Sequence, residues 1–136
     1  MSDQINVRAA SALLRISLGV MFLTHSIVLK VLRFGFAGTA HFFQSLGLPA
    51  AVAYGTIIAE AIGGALLVLG IGTRAVALTL IPILIGATWV HLGNGWVFSN
   101  AGGGWEYPAF LIVVSVAVAL LERGGTRPRL LTQPAN

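Results

Sequence analysis

The sequence predicts an all-α integral membrane protein, a four-helix bundle with both termini in the cytoplasm. Three observations predict it. Of 136 residues, 57% are hydrophobic and only 9% charged, against about 25% charged in soluble domains. Mean hydropathy is +0.90, more apolar surface than so short a soluble chain can hide. Four segments approach the roughly 20 apolar residues that one crossing of a bilayer requires. A soluble enzyme, a disordered tail and, with no cysteine in the chain, a disulfide scaffold or thiolate metal site are thereby excluded.

The expected spans lie at about residues 11–32, 50–69, 73–92 and 107–121 of a single domain covering 1–136. The first carries Arg15 within it and ends near Lys30 and Arg33 rather than at a small-residue cleavage site, so it reads as a retained span and not a signal peptide. Gly47, Leu48 and Pro49 break the chain before the second span, and Pro49 suits a first helical turn. Gly70 and Gly72 bracket a tight turn, with Thr73 as expected N-cap of the third span. Pro82 should kink that span. Gly102, Gly103 and Gly104 read as a flexible lead into the short fourth span, with Trp105 and Arg123 at its two interfaces.

Orientation follows from the cations. Four spans place Arg8, Arg15, Arg74, Arg123, Arg127 and Arg129 on the side of the termini, and only Lys30 and Arg33 opposite. The positive-inside rule then puts the termini in the cytoplasm. The net charge of +4 reads as topology and anionic-lipid contact, not nucleic-acid binding. The bacterial cytoplasmic (inner) membrane, crossed several times, is the expected location.

Ionisable residues within spans are costly and mark candidate sites. Glu60 sits mid-span, with Thr56, Gly63 and Gly64 around it. The small residues Gly55, Ala59 and Gly63 form a ridge that lets another backbone approach. If spans one and two are antiparallel, residues whose numbers add to about 81 share a depth, and His25 falls about 6 Å along the axis from Glu60. Arg15 is expected to snorkel to the nearer interface. His91 and Glu106 fall on the same outward side, and Lys30 could supply a positive rim. Each has a plainer reading. Glu60 can be hydrogen-bonding glue between helices, Glu106 a helix-start carboxylate, and Trp89, Trp96, Trp105 and Tyr107 an aromatic belt. His41 reads as an exposed loop histidine. The convergence of His25, Glu60, His91 and Glu106 on one half of the bundle predicts a polar pocket opening outward.

The same residues make the chain resemble the DoxX family of small four-helix bacterial membrane proteins. The matching stretches are Leu14-Arg15-Ile16-Ser17-Leu18-Gly19, Phe22-Leu23-Thr24-His25 with Lys30, and Leu46-Gly47-Leu48-Pro49. They continue with Glu60-Ala61-Ile62-Gly63-Gly64, Leu69-Gly70-Ile71-Gly72-Thr73-Arg74, His91, and Gly102-Gly103-Gly104-Trp105-Glu106-Tyr107. Ser26 stands where the family's usual residue is Gly. The resemblance implies a subunit linked to redox chemistry, with a quinone as acceptor, or a membrane partner of redox-defence proteins.

The expected function is therefore a redox-associated membrane subunit with a quinone-like ligand, a non-autonomous part of an oxidoreductase. Glu60 and His25 would handle protons. Lys30, His91, Trp105, Glu106 and Tyr107 would complete the ligand site. No cofactor is expected to be intrinsic, since no flavin, nicotinamide or iron–sulfur fingerprint is present. The alternatives are a scaffold for a partner protein, a haem b site between His25 and His91, and a small-solute or proton transporter, with homo-oligomers an option throughout.

Overall fold

The computed structural model describes residues 2–122. Within them the chain is all-helical, with no strand. Helix α1 (Ser2–Leu23) continues into a π-helical segment, Thr24–Arg33. Then follow α2 (Gly35–Ser45), α3 (Ala50–Leu69), α4 (Thr73–His91) with a short 3₁₀ turn at Leu92–Asn94, and α5 (Glu106–Leu121). Arg123, Arg127 and Arg129, part of the orientation argument, lie outside the described residues.

Three stretches, Asp3–Arg33, Ala50–Leu69 and Thr73–Asn94, are long and apolar enough to cross a membrane. Helix α5 is apolar but shorter, its 16 residues giving about 24 Å against a hydrocarbon core of about 30 Å. The first helix starts nine residues before the expected span, because hydropathy marks the lipid-embedded stretch and not a polar helical turn preceding it. The loop expected after span one contains α2, so His41 is helical, though exposed as anticipated. Helix α4 runs through Pro82 unbroken, and Thr73 is its buried first residue rather than its cap, which is Gly72.

The exterior is apolar. Leu13, Ile58, Ile62, Phe110 and Val113 are each more than half exposed, as suits lipid-facing positions. The core gathers Leu18 and Phe22 of α1, Leu67 of α3, Leu80 and Leu84 of α4, and Leu111 and Val118 of α5.

The close approach of backbones falls at a different place from the expected ridge. Gly55 faces open space, and Gly63 meets the Leu80 side chain. The contact between main chains is Gly19 on Gly64: a Cβ added at Gly64 would sit 2.8 Å from the Gly19 carbonyl oxygen, and one added at Gly19 would sit 2.7 Å from that of Gly64. The α1–α3 crossing therefore depends on two missing side chains. Gly64→Ala should lower unfolding stability by about 1–3 kcal/mol, the cost of overpacking a close contact. Unfolding in mixed micelles checks this, and an unchanged midpoint would contradict it.

At the end of the bundle carrying the N-terminus, Arg15 does not snorkel freely. Its Nη1 donates to the Leu67 and Val68 carbonyls at 2.8 and 2.9 Å, and its Nε lies 3.9 Å from Glu122 Oε1. The last carbonyls of a helix lack intrahelical donors and carry its negative dipole end, so a guanidinium suits them. Ser11 Oγ donates to Glu122 Oε1 at 2.6 Å, which ties α1, α3 and the end of α5 together.

Candidate functional site

The opposite end of the bundle carries the π segment, α2, the start of α3 and the loop from residue 92 to 105. Here Lys30 Nζ donates to Glu60 Oε2. The carboxylate is 6% exposed and the ammonium-bearing side chain 20%, so the pair is largely withdrawn from its surroundings. Lys30 is thus not the rim charge the sequence suggested. It reaches inward and neutralises the mid-helix acid.

Two features of the backbone make this pairing possible. The α1–α3 register, fixed by Gly19 on Gly64, leaves Lys30 and Glu60 about 10 Å apart along the axis. Side chains lean toward the N-terminus of their own helix. Because the helices are antiparallel, Lys30 leans down and Glu60 leans up, and the two long side chains close the gap. Matching depth by backbone position alone misses this.

The second feature is the π winding. In an α-helix, residues five apart are turned about 140° from one another. With hydrogen bonds spanning five residues, as in Phe34 N–H to the Leu29 carbonyl at 2.9 Å, the turn is wider and residues five apart come much nearer to one face. His25 and Lys30 are five apart. The segment is pinned at both ends. Fully buried Ser26 donates from Oγ to the Ile57 carbonyl at 2.8 Å, and Thr39 Oγ1 of α2 donates to the Lys30 carbonyl at 2.8 Å. Serine in place of glycine at position 26 therefore adds a tie between α1 and α3.

The His25 ring has a defined tautomer. Nδ1 lies 3.0 Å from the Met21 carbonyl, which can only accept, so Nδ1 carries the proton and a neutral ring presents Nε2 as a base. Its face stacks on Tyr107 at the start of α5, with centroids 6.1 Å apart and planes inclined by 25°. His91 follows the same rule, with Nδ1 2.7 Å from the Ala87 carbonyl.

His91 and Glu106 are both held by the loop. A Cβ on Gly103 would lie 3.4 Å from the His91 ring. Glu106 Oε1 accepts the Phe98 N–H at 2.8 Å, in keeping with a helix-start carboxylate. Trp105 meets Trp96 edge to face, centroids 4.4 Å apart.

That loop is not the flexible lead expected from three glycines. Asn94 Nδ2 donates to the Gly102 and Gly103 carbonyls, Trp105 N–H to Gly95, and Glu106 N–H to Trp96. Gly102 and Gly103 both have φ of +80°, where a side chain is strained. Buried Gly104 packs so closely on the Trp96 and Val97 carbonyls that no Cβ fits. The glycines serve conformation and packing. Among the described residues no group of three or more His, Asp or Glu side chains is placed to hold a metal ion.

An all-helical, apolar-surfaced bundle with a buried ion pair and histidine at one end defines a multi-pass membrane protein with a polar internal site. The DoxX family model matches residues 10–93, and the chain belongs to that family. It is 35% identical over 109 residues to a Bacillus subtilis (strain 168) protein named "Putative oxidoreductase CatD", covering 79% of this chain and 75% of that protein. No solved structure matches it significantly.

Proposed function

We propose that this chain is a redox-associated subunit of the bacterial inner membrane that binds a quinone-like ligand beside the Lys30–Glu60 pair. On this reading α5 is a fourth crossing, and both termini are cytoplasmic. The observation that carries the proposal is the buried Lys30–Glu60 contact with His25 on the same face of the π segment. Family membership and the name of the Bacillus relative support the redox assignment.

The residues fit such a ligand. A quinone carbonyl needs a donor, which Lys30 supplies. A quinol hydroxyl needs a base, which His25 Nε2 supplies through its fixed tautomer. Glu60 would hold Lys30 in place and accept a proton passed from His25. Tyr107 would hold the His25 ring in plane and offer its face to the ligand ring. His91, Trp105 and Glu106 would shape the mouth. When bound, a quinone-like ligand would supply two-electron, two-proton chemistry, exchanging electrons with a partner redox protein.

A second reading has its own support. Every buried side-chain nitrogen and oxygen among the described residues has a hydrogen-bond partner, as a non-catalytic scaffold for a partner protein would require.

Titration of a short-tailed quinone into the protein in nanodiscs, read by tryptophan fluorescence, separates them. Saturable binding should weaken at least about tenfold in Lys30→Met, the loss of one charge-assisted hydrogen bond, and His25→Ala should weaken it too. No binding to the wild type supports the scaffold instead, and unchanged binding in both variants places the ligand away from the Lys30–Glu60 pair. A Soret band in the purified protein would favour the haem reading.

A further inference from the structure

A groove of about 490 Å³ runs along the outside of the loop and the start of α5. Its walls are Trp96, Phe98, Trp105, Tyr107 and Phe110, with Val113 below and one carboxylate, Glu106. Trp96, Phe98 and Phe110 are each more than half exposed. Among the described residues, Glu106 has no cationic partner, the ion pairs being Arg15–Glu122 and Lys30–Glu60. Among the described residues its carboxylate takes one hydrogen bond, from Phe98 N–H to Oε1.

This is charge complementarity of a particular kind. Aromatic faces carry a negative quadrupole, and an organic ammonium held over them is attracted without the groove supplying a full counter-charge. A neighbouring carboxylate adds one. The indole N–H groups of Trp96 and Trp105 have no protein acceptor among the described residues and are free to donate to phosphate or ester oxygens. Tyr107, Phe110 and Val113 follow at three-residue spacing along α5, so an apolar track continues from the aromatic wall down the side of the helix. Cation-binding head, hydrogen-bond donors and apolar track come in the order of an amine-headgroup phospholipid.

We propose that this groove binds one phospholipid with an ammonium headgroup, phosphatidylethanolamine in chemical class. The ammonium sits against Trp96, Trp105 and the Glu106 carboxylate, and one acyl chain lies along Phe110 and Val113. The groove shares Trp105, Glu106 and Tyr107 with the mouth of the proposed quinone site but does not include the Lys30–Glu60 pair, and the proposal does not rest on the quinone reading.

Native mass spectrometry of the full chain, titrated in mild detergent with phosphatidylethanolamine or with phosphatidylglycerol of the same acyl chains, tests it. The expected result is a preference of at least about threefold for the amine lipid. Glu106→Gln should reduce that preference toward one. Its side-chain oxygen still accepts the Phe98 N–H, so the loop stays formed. Trp96→Leu should reduce it as well. Equal binding of the two lipids to the wild type, or a preference unchanged in both variants, overturns the proposal. So does a short-tailed quinone that displaces the lipid and perturbs the groove tryptophans in Lys30→Met as strongly as in the wild type, since the groove would then belong to that ligand.

Discussion

Glu60→Ala should cost about 3–5 kcal/mol of unfolding stability, toward the lower end of that range, because it leaves the Lys30 ammonium without its partner inside the bundle. The carboxylate is 6% exposed and lies mid-helix, with no interface within its reach. Lys30 keeps a partial escape route, being 20% exposed near the α2 end, so some of the penalty is relieved by its turning outward. The π segment would loosen with it, since the contact is one of three polar ties, with Ser26 on Ile57 and Thr39 on Lys30, that hold that winding. Replacing both charges, in Lys30→Met with Glu60→Leu, should recover most of the loss, because apolar pairs of similar volume are often as stable as a buried ion pair. Unfolding in mixed micelles reads both variants, and a neutral Glu60→Ala would show that the carboxyl is solvated.

Gly104→Ala should have the second largest effect, about 2–3 kcal/mol with loss of the local loop structure. The added Cβ would lie 2.3 Å from both the Trp96 and Val97 carbonyl oxygens. Those are backbone atoms, so no rotamer change relieves the clash and the two loop segments must part. The bonds from Trp105 N–H to Gly95 and from Glu106 N–H to Trp96 would break first. The edge-to-face Trp96–Trp105 pair would separate. Near-ultraviolet circular dichroism should lose tryptophan signal while far-ultraviolet helicity stays almost constant. A wild-type near-ultraviolet spectrum would contradict the packing described for this loop.

Helices α3 and α4 were legible almost to the residue, because lipid demands long apolar runs and the turn glycines punctuate them. The α1–α3 depth relation was legible too. Expected pairs summing to about 81 are met by Gly19 with Gly64, Arg15 with Leu67 and Ser26 with Ile57. Helix α2 is not legible because it is too short for a span and its glycines, Gly35 and Gly38, read as loop. The π segment was missed because it is a change of winding, which composition does not record. That omission hid the Lys30–Glu60 pairing, since depth matching assumes α geometry and ignores how side chains lean. Glu122 carries no signal in the sequence beside the arginines that follow it, although its contacts with Ser11 and Arg15 tie three helices. The glycine run was misread because flexibility and tight packing call for the same residue.

The proposed site requires Lys30 and Glu60 to meet inside the bundle, and a double-mutant cycle on the two residues tests that most directly. Lys30→Met, Glu60→Leu and the double variant are compared with the wild type by unfolding in one detergent system. Direct contact predicts an interaction free energy of about 1–3 kcal/mol between the two positions. Losses that add to within about 0.5 kcal/mol would mean that the two side chains do not touch, and the site built on them would not exist.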